Sequence, residues 1–208
     1  MSDSIKIRKC TPEDLDAVAG LESQIWPEGT RAPRDKFASR LEVFPEGFFL
    51  AYNGDELIGA STSEIINYDP ANPPISWELI TNDGYITNTH NPTGNGLYVV
   101  SIGAISRSGG GSALLQAQKG LVKELGLTSL VLGARIPGYN RYCLDQRDLP
   151  IDEYAKLERP DTQLLDSELR FYTRNGLQIL KTVANYMEND SESRNYGAIM
   201  TWENSLSQ

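Results

Sequence analysis

The sequence predicts a mixed α/β fold in one domain over residues 1–208, and three observations carry the prediction. In the first, a β-branched strand at Val100–Ile105 runs through Arg107-Ser108-Gly109-Gly110-Gly111-Ser112 into an apolar-periodic helix. The second is Phe48–Tyr52 and Glu56–Ala60, two apolar runs joined by Asn53-Gly54-Asp55, the signature of a hairpin. The third is the order of elements along the chain, β-α-α-β-β, a long polar segment, β-α-β, a second long segment, then α-β-β. A chain of 208 residues is long enough for one sizeable core.

Each element has its own signal. Ile5–Arg8 alternates as a strand. Thr11-Pro12-Glu13-Asp14 is a helix start: a capping hydroxyl, proline at the first helical position, and acids in the first turn. Leu15, Val18, Leu21 and Ile25 then form an apolar stripe, and a second short helix covers Arg34 to Val43. The second hairpin strand continues through Ser61-Thr62-Ser63-Glu64-Ile65. Residues Asn67 to Asn95 form a polar segment rich in Pro, Gly and Asn, too long for an idle connection. After the glycines, Leu114, Leu115, Gln118, Leu121, Val122 and Leu125 line one face of a helix from Ala113 to Leu125, which Gly126 stops. Thr128–Gly133 reads as a buried strand and Arg135–Asp161 as a second insertion. A helix over Thr162–Arg174 and strands over Leu177–Met187 and Tyr196–Trp202 complete the chain.

Composition narrows the function. A net charge of −9 opposes a nucleic-acid surface, which needs clustered Lys and Arg. No apolar run is long enough to span a bilayer, and Met1–Lys6 lacks the basic and apolar parts of a secretion signal. Cys10 and Cys143 lack metal-ligand spacing, so no metal is expected. Both read as free thiols of a cytoplasmic protein.

The glycine-rich turn carries the chemistry. It ends a strand and opens a helix, whose first amides have no intrahelical acceptor and bear partial positive charge. Such a terminus attracts phosphate, and glycines let the backbone approach it closely. The dinucleotide fingerprint and the P-loop both fit poorly, because Ser112-Ala113 follows Gly111 where a P-loop needs Lys–Ser/Thr.

The segment Arg107–Ser112 resembles the pyrophosphate loop of the GNAT superfamily of acyl-coenzyme A N-acyltransferases, Q/R-x-x-G-x-G/A. Arg107 and Gly110 match; Ser112 replaces the last small residue. Phe171-Tyr172 with Gly176-Leu177 resembles the family's later F-Y-x-x-x-G-F. Ser76-Trp77, Thr89-His90-Asn91-Pro92, Gly133–Tyr139 and Ser193–Ala198 resemble a subgroup often fused to a carbon–nitrogen hydrolase, here as a stand-alone domain. The resemblance implies the GNAT fold, a central mixed, mostly antiparallel sheet with flanking helices, and makes the two insertions its departures.

The same resemblance implies acetyl-CoA as co-substrate. Backbone groups of Ile102, Gly103 and Ala104 would hold the pantetheine arm. Arg107 and the amides of Ser108, Gly109, Gly110, Gly111, Ser112 and Ala113 would hold the pyrophosphate. Tyr172 would protonate the leaving thiolate, and Trp26–Ala32 would lie over the acceptor. Two residues compete for general base: His90, the only histidine, and Glu64, near the end of its strand. Asn140 is the nearest match to the family's asparagine after the fifth strand. The acceptor is a small-molecule amine, with no nucleic acid or membrane partner and a homodimer left open. A non-catalytic acyl-CoA sensor and a protein N-acetyltransferase are the alternatives.

Overall fold

The computed structural model describes residues 5–205. The elements are β1 (Lys6–Lys9), α1 (Leu15–Ile25), α2 (Arg34–Val43), β2 (Phe49–Asn53), β3 (Glu56–Ile66), α3 (Trp77–Ile80), β4 (Gly96–Ala104) and α4 (Gly110–Glu124). They continue with β5 (Ser129–Arg135), α5 (Gly138–Asp145), α6 (Ile151–Tyr154), α7 (Ser167–Arg174), β6 (Gln178–Val183) and β7 (Gly197–Glu203). The strands form one mixed, mostly antiparallel sheet in the order β1-β2-β3-β4-β5-β7-β6. The chain divides into two compact units: the described parts of 1–68, 81–130 and 203–208, and residues 69–80 with 131–202. Among the described residues no helix is long and apolar enough to cross a membrane.

In the first unit, β1 to β4 pair antiparallel in chain order. The predicted helix start is a 3-10 turn at Pro12–Asp14 leading into α1. Asp14 accepts from the Thr11 amide at 2.9 Å and takes both Nη atoms of Arg8 at 2.6 Å. Cys10, Leu15, Val18, Phe37, Phe48 and Leu50 form a buried cluster that joins α1 and α2 to the sheet. Burying side chains of this size contributes about 1.5–3 kcal/mol each. Neighbouring residues of β3 point to opposite faces. Thr62 meets Arg40 of α2, and Ser61 meets Gln118 of α4. Helices α1 and α2 therefore cover one face of this half-sheet and α4 the other.

In the second unit, β6 and β7 pair antiparallel and β6 ends at Val183, short of the predicted Met187. The 135–161 insertion is not bare loop: it folds into α5 and α6. Tyr139 and Tyr142 both pack on Tyr154, at ring centroid distances of 5.2 Å. Helix α7 starts at Ser167 rather than Thr162, because Asp166 is its cap and accepts the amides of Glu168 and Leu169. Thr162 stands at φ 61°, a turn conformation that a helix cannot use. Tyr186 lies flat against Gly133 and Gly197, so closely that a Cβ at either would overlap its ring.

Candidate active site

The glycine loop lies where the sequence puts it, but the helix begins earlier. Gly109, at φ 81°, is the cap, and Gly110 and Gly111 already belong to α4, three residues ahead of the expected Ala113. Glycine's low helix propensity hides this, since a first turn tolerates it. The Gly110 amide is taken by Ser108 Oγ at 3.1 Å, and Ala113 bonds back to Gly109 at 3.2 Å. Gly111 and Ser112 are half-exposed and lie in the first turn of α4, where amides have no acceptor one helical turn back within the helix. Arg107 is exposed and held at φ 61°. That left-handed conformation costs a side-chain-bearing residue about 1–2 kcal/mol, the kind of local strain found at binding loops. Gly110 has little room: a Cβ there would stand 3.2 Å from Ile58 Cδ1 and 3.4 Å from the Cβ of Ala104.

Strand β4 changes character along its length. Gly96–Val100 are buried, whereas Ser101, Ile102, Gly103 and Ala104 are half-exposed. The register with β3 shifts at this boundary, since Thr62 faces Ser101 but Ser63 faces Val99, leaving Val100 as an extra residue. Such a bulge bends a strand and re-aims its backbone. Trp26, just beyond α1, covers this end: a Cβ on Gly103 would lie 2.9 Å from its Nε1. The predicted backbone contacts Ile102, Gly103 and Ala104 therefore sit on an accessible strand end beside the α4 terminus.

Strand β3 carries a buried polar run, whose alternate members Thr62 and Glu64 face α2. Ser61, Thr62, Ser63 and Glu64 are all at most 1% exposed, an unusual polar run for a strand interior. Arg40 reaches this face from α2 and is itself 1% exposed. Its Nε donates to the Gly84 carbonyl at 2.6 Å, and its Nη1 to Ser101 Oγ at 3.1 Å and Thr62 Oγ1 at 3.3 Å. Its Nη2 has no hydrogen-bond partner among the described residues. Glu64 follows Thr62 on that face, and among the described residues neither of its carboxylate oxygens is hydrogen-bonded. Thr89 Oγ1 stands near it, outside hydrogen-bonding geometry, and favours the charged form. Burial dominates, and pushes the Glu64 carboxyl up to about 8, against the pull of Thr89 and Arg40. Burial likewise lowers Arg40 to about 10.

His90, one of the two candidate bases, lies against the edge of β3. Its Nδ1 accepts the Ile65 amide at 3.1 Å and its ring stacks on Phe44 at 4.7 Å. Strand β2 pairs only as far as Ser61, so the edge of β3 beyond it lacks a strand partner. His90 and Asn91, whose amide donates to the Ile65 carbonyl at 2.7 Å, complete that edge. The nitrogen that would take a proton is thus engaged, and burial lowers the ring's proton affinity. The surrounding segment is a strap rather than a loose lid. Tyr85 bonds Asp35 at 2.8 Å, and Ser39 bonds the Tyr85 carbonyl at 2.8 Å. Ile86, fully buried, is held at φ 56°, a strained conformation for a β-branched side chain. Trp77 belongs to the other compact unit.

Tyr172 lies on α7 in the second unit, one helical turn after Glu168, and is 7% exposed. Burial, reinforced by the charge of Glu168, holds its hydroxyl well above the usual tyrosine range, so it is a proton donor at neutral pH. Asn140 is committed elsewhere: its Oδ1 accepts from Arg194 at 3.0 Å. Arg40 is the residue that sequence reading missed. Its signal was present, because it falls three residues after Phe37 on the face of α2 that packs inward.

No family model matches the chain. It is 34% identical over 201 residues to the probable hydrolase YhcX of Bacillus subtilis (strain 168), covering 95% of this chain but only 38% of that protein. It is 31% identical over 209 residues to the uncharacterized N-acetyltransferase YkwB of the same organism, covering 97% of this chain and 90% of the relative. In structure it resembles the loading GNATL domain of CurA from Lyngbya majuscula, at a TM-score of 0.81 and 21% identity over 96% of this chain and 98% of that one. The GphF GNAT-like decarboxylase in complex with isobutyryl-CoA superposes at 0.78, with 22% identity over 95% and 98%. The fold, the glycine turn at the head of α4 and the relationship to YkwB lead to one assignment: the chain belongs to the GNAT superfamily.

Proposed function

We propose that this protein transfers an acyl group from acyl-CoA, acetyl-CoA first among them, to the amine of a small molecule. The observation that carries the reading is the end of β4, an accessible strand end with the head of α4 on one face of the sheet and the cover of Trp26 on the other. The Gly111 and Ser112 amides would hold the pyrophosphate, with Arg107 adding charge, and Ile102–Ala104 would hold the pantetheine arm. The bound thioester supplies the electrophilic carbonyl. Glu64 takes a proton from the acceptor amine, whose lone pair then forms the C–N bond as the C–S bond breaks. The departing thiolate takes up a proton, a role that the resemblance to the family gives to Tyr172.

A second reading has its own support. Glu64 keeps its proton up to about 8, so at neutral pH it is an acid before it is a base. Decarboxylation of a β-carboxyacyl thioester needs such a group: the C–C bond breaks, CO2 leaves, and the electron pair left on the α-carbon collects a proton. GphF, a GNAT-like decarboxylase, is similar in fold.

One set of assays tests both. Free-thiol release from acetyl-CoA with a panel of amines supports transfer, and CO2 release from malonyl-CoA without thiol release supports decarboxylation. Calorimetry with CoA should show a loss of at least about tenfold for Gly110→Asp, because a side chain there crowds Ile58 and Ala104 and displaces the loop backbone, while its charge opposes the anion. Unchanged affinity in a folded variant removes the loop from the site. Tyr172→Phe should lower turnover and leave CoA affinity intact.

A further inference from the structure

Arg40 makes an odd set of bonds for a buried cation. Its three hydrogen bonds go to a carbonyl and two hydroxyls, and none goes to a carboxylate. The backbone that supplies the carbonyl, Gly84, is fixed by the strained turn that ends at Ile86. Thr62 and Ser101, which hold Nη1, also bond each other at 2.9 Å. The guanidinium is therefore locked in place by neutral groups, and its remaining Nη2 has no partner on the face where Glu64, also without partners, follows Thr62.

We infer that Arg40 is the positioning residue of this site: its fixed positive charge steadies the Glu64 carboxylate each time that group gives up or takes a proton. The inference rests on the reading of Glu64 as the proton-transfer group. A direct Arg40–Glu64 salt bridge would tie up the carboxylate. A cation held by hydroxyls nearby favours the charge while leaving the oxygens free for a substrate. The other groups around the pair are few. Glu22 on α1 and Asp83 on the strap share the field of Arg40, and Arg31 acts on Glu22. Thr89 faces Glu64 beside His90, and Tyr98 stands opposite it on β4.

The test reads Glu64 directly. Infrared titration of the free protein follows the protonated carboxyl band that disappears in Glu64→Gln. In Arg40→Gln the titration midpoint should rise by about one pH unit or more, and Arg40→Lys should return most of the difference. The ascending limb of the pH–rate profile should move with it. A purely structural Arg40 predicts a lowered melting temperature with the midpoint unmoved, and that result overturns the inference. Should Arg40→Gln fail to fold, Glu22→Gln leaves the guanidinium in place and removes a competing anion. The midpoint must then fall, and an unmoved midpoint is again fatal. Full turnover in Glu64→Gln would refute the proton-transfer reading alone, leaving the infrared result to judge Arg40.

Discussion

Among the described residues two arginines are buried, and they are treated in opposite ways. Arg135 in the second unit is surrounded by acids: Asp190 at 2.9 and 2.6 Å in a two-pronged pair, Glu192 at 2.7 Å and Glu168 at 3.9 Å. Arg40 in the first unit has no carboxylate within salt-bridge distance among the described residues. Arg135 is accordingly raised above its ordinary proton affinity, despite burial, whereas Arg40 is lowered. A cation saturated by anions is a structural clasp, since nothing is left for a ligand to bond. A cation held by neutral groups keeps its field available. On the proposed function, the difference separates a place where charge builds the fold from a place where charge is kept for chemistry.

The largest expected effect tests the second half of that contrast. Glu64→Gln should lower turnover by about 10²–10⁴-fold, the usual worth of a proton-transfer group, with the fold intact by circular dichroism. A variant that retains full activity would put both clusters in the structural class. The first half is tested by Asp190→Asn, which leaves Arg135 buried and under-compensated and should cost about 3 kcal/mol in urea unfolding. A cost below about 1 kcal/mol would mean that the clasp contributes little.

The pH dependence of stability sharpens the comparison. Glu64 binds its proton more tightly in the folded chain, at about 8 against an ordinary 4.5. Its contribution is full below about 4.5 and is lost as pH rises through about 8. At roughly 1.4 kcal/mol per unit, the loss amounts to a few kcal/mol. Glu168, pushed up by burial against the pull of Arg135, adds a loss of the same sign. Glu64→Gln should flatten the fall between pH 5 and 8 (approximate limits set by those two values). Equal slopes in variant and parent would show that Glu64 ionises freely. The smallest effect belongs to the rim of the clasp. Glu192 is 54% exposed, so Glu192→Gln should cost no more than about 1 kcal/mol and leave turnover unchanged.

Much of the first unit was legible in the sequence, because its strands and helices repeat at their own periods and Asn53-Gly54 announces the hairpin. The glycine loop was legible for the same reason. Three things were not. The part played by His90 depends on β2 ending before β3 does, which no local pattern encodes. The start of α4 was concealed by glycines that a first helical turn accepts. Arg40 looks like an ordinary surface arginine on a weakly amphipathic helix, and its burial depends on Thr62, Ser101 and Gly84, which come from three distant segments. The run Ser61–Glu64 was the available clue, since polar residues inside a strand flanked by apolar ones need buried partners.

Tyr186 and the two glycines beneath its ring also limit how this sequence can change over time. Gly133, Tyr186 and Gly197 are sterically coupled. Any side chain at either glycine is blocked while the ring remains, and a smaller residue at 186 opens a void above bare backbone. The route between alternative packings therefore passes through a destabilised intermediate, whichever position changes first. In a reconstruction of this family's history, those three positions should be gained or lost together, and a homologue with alanine at one of the glycines should carry a smaller side chain in place of the tyrosine.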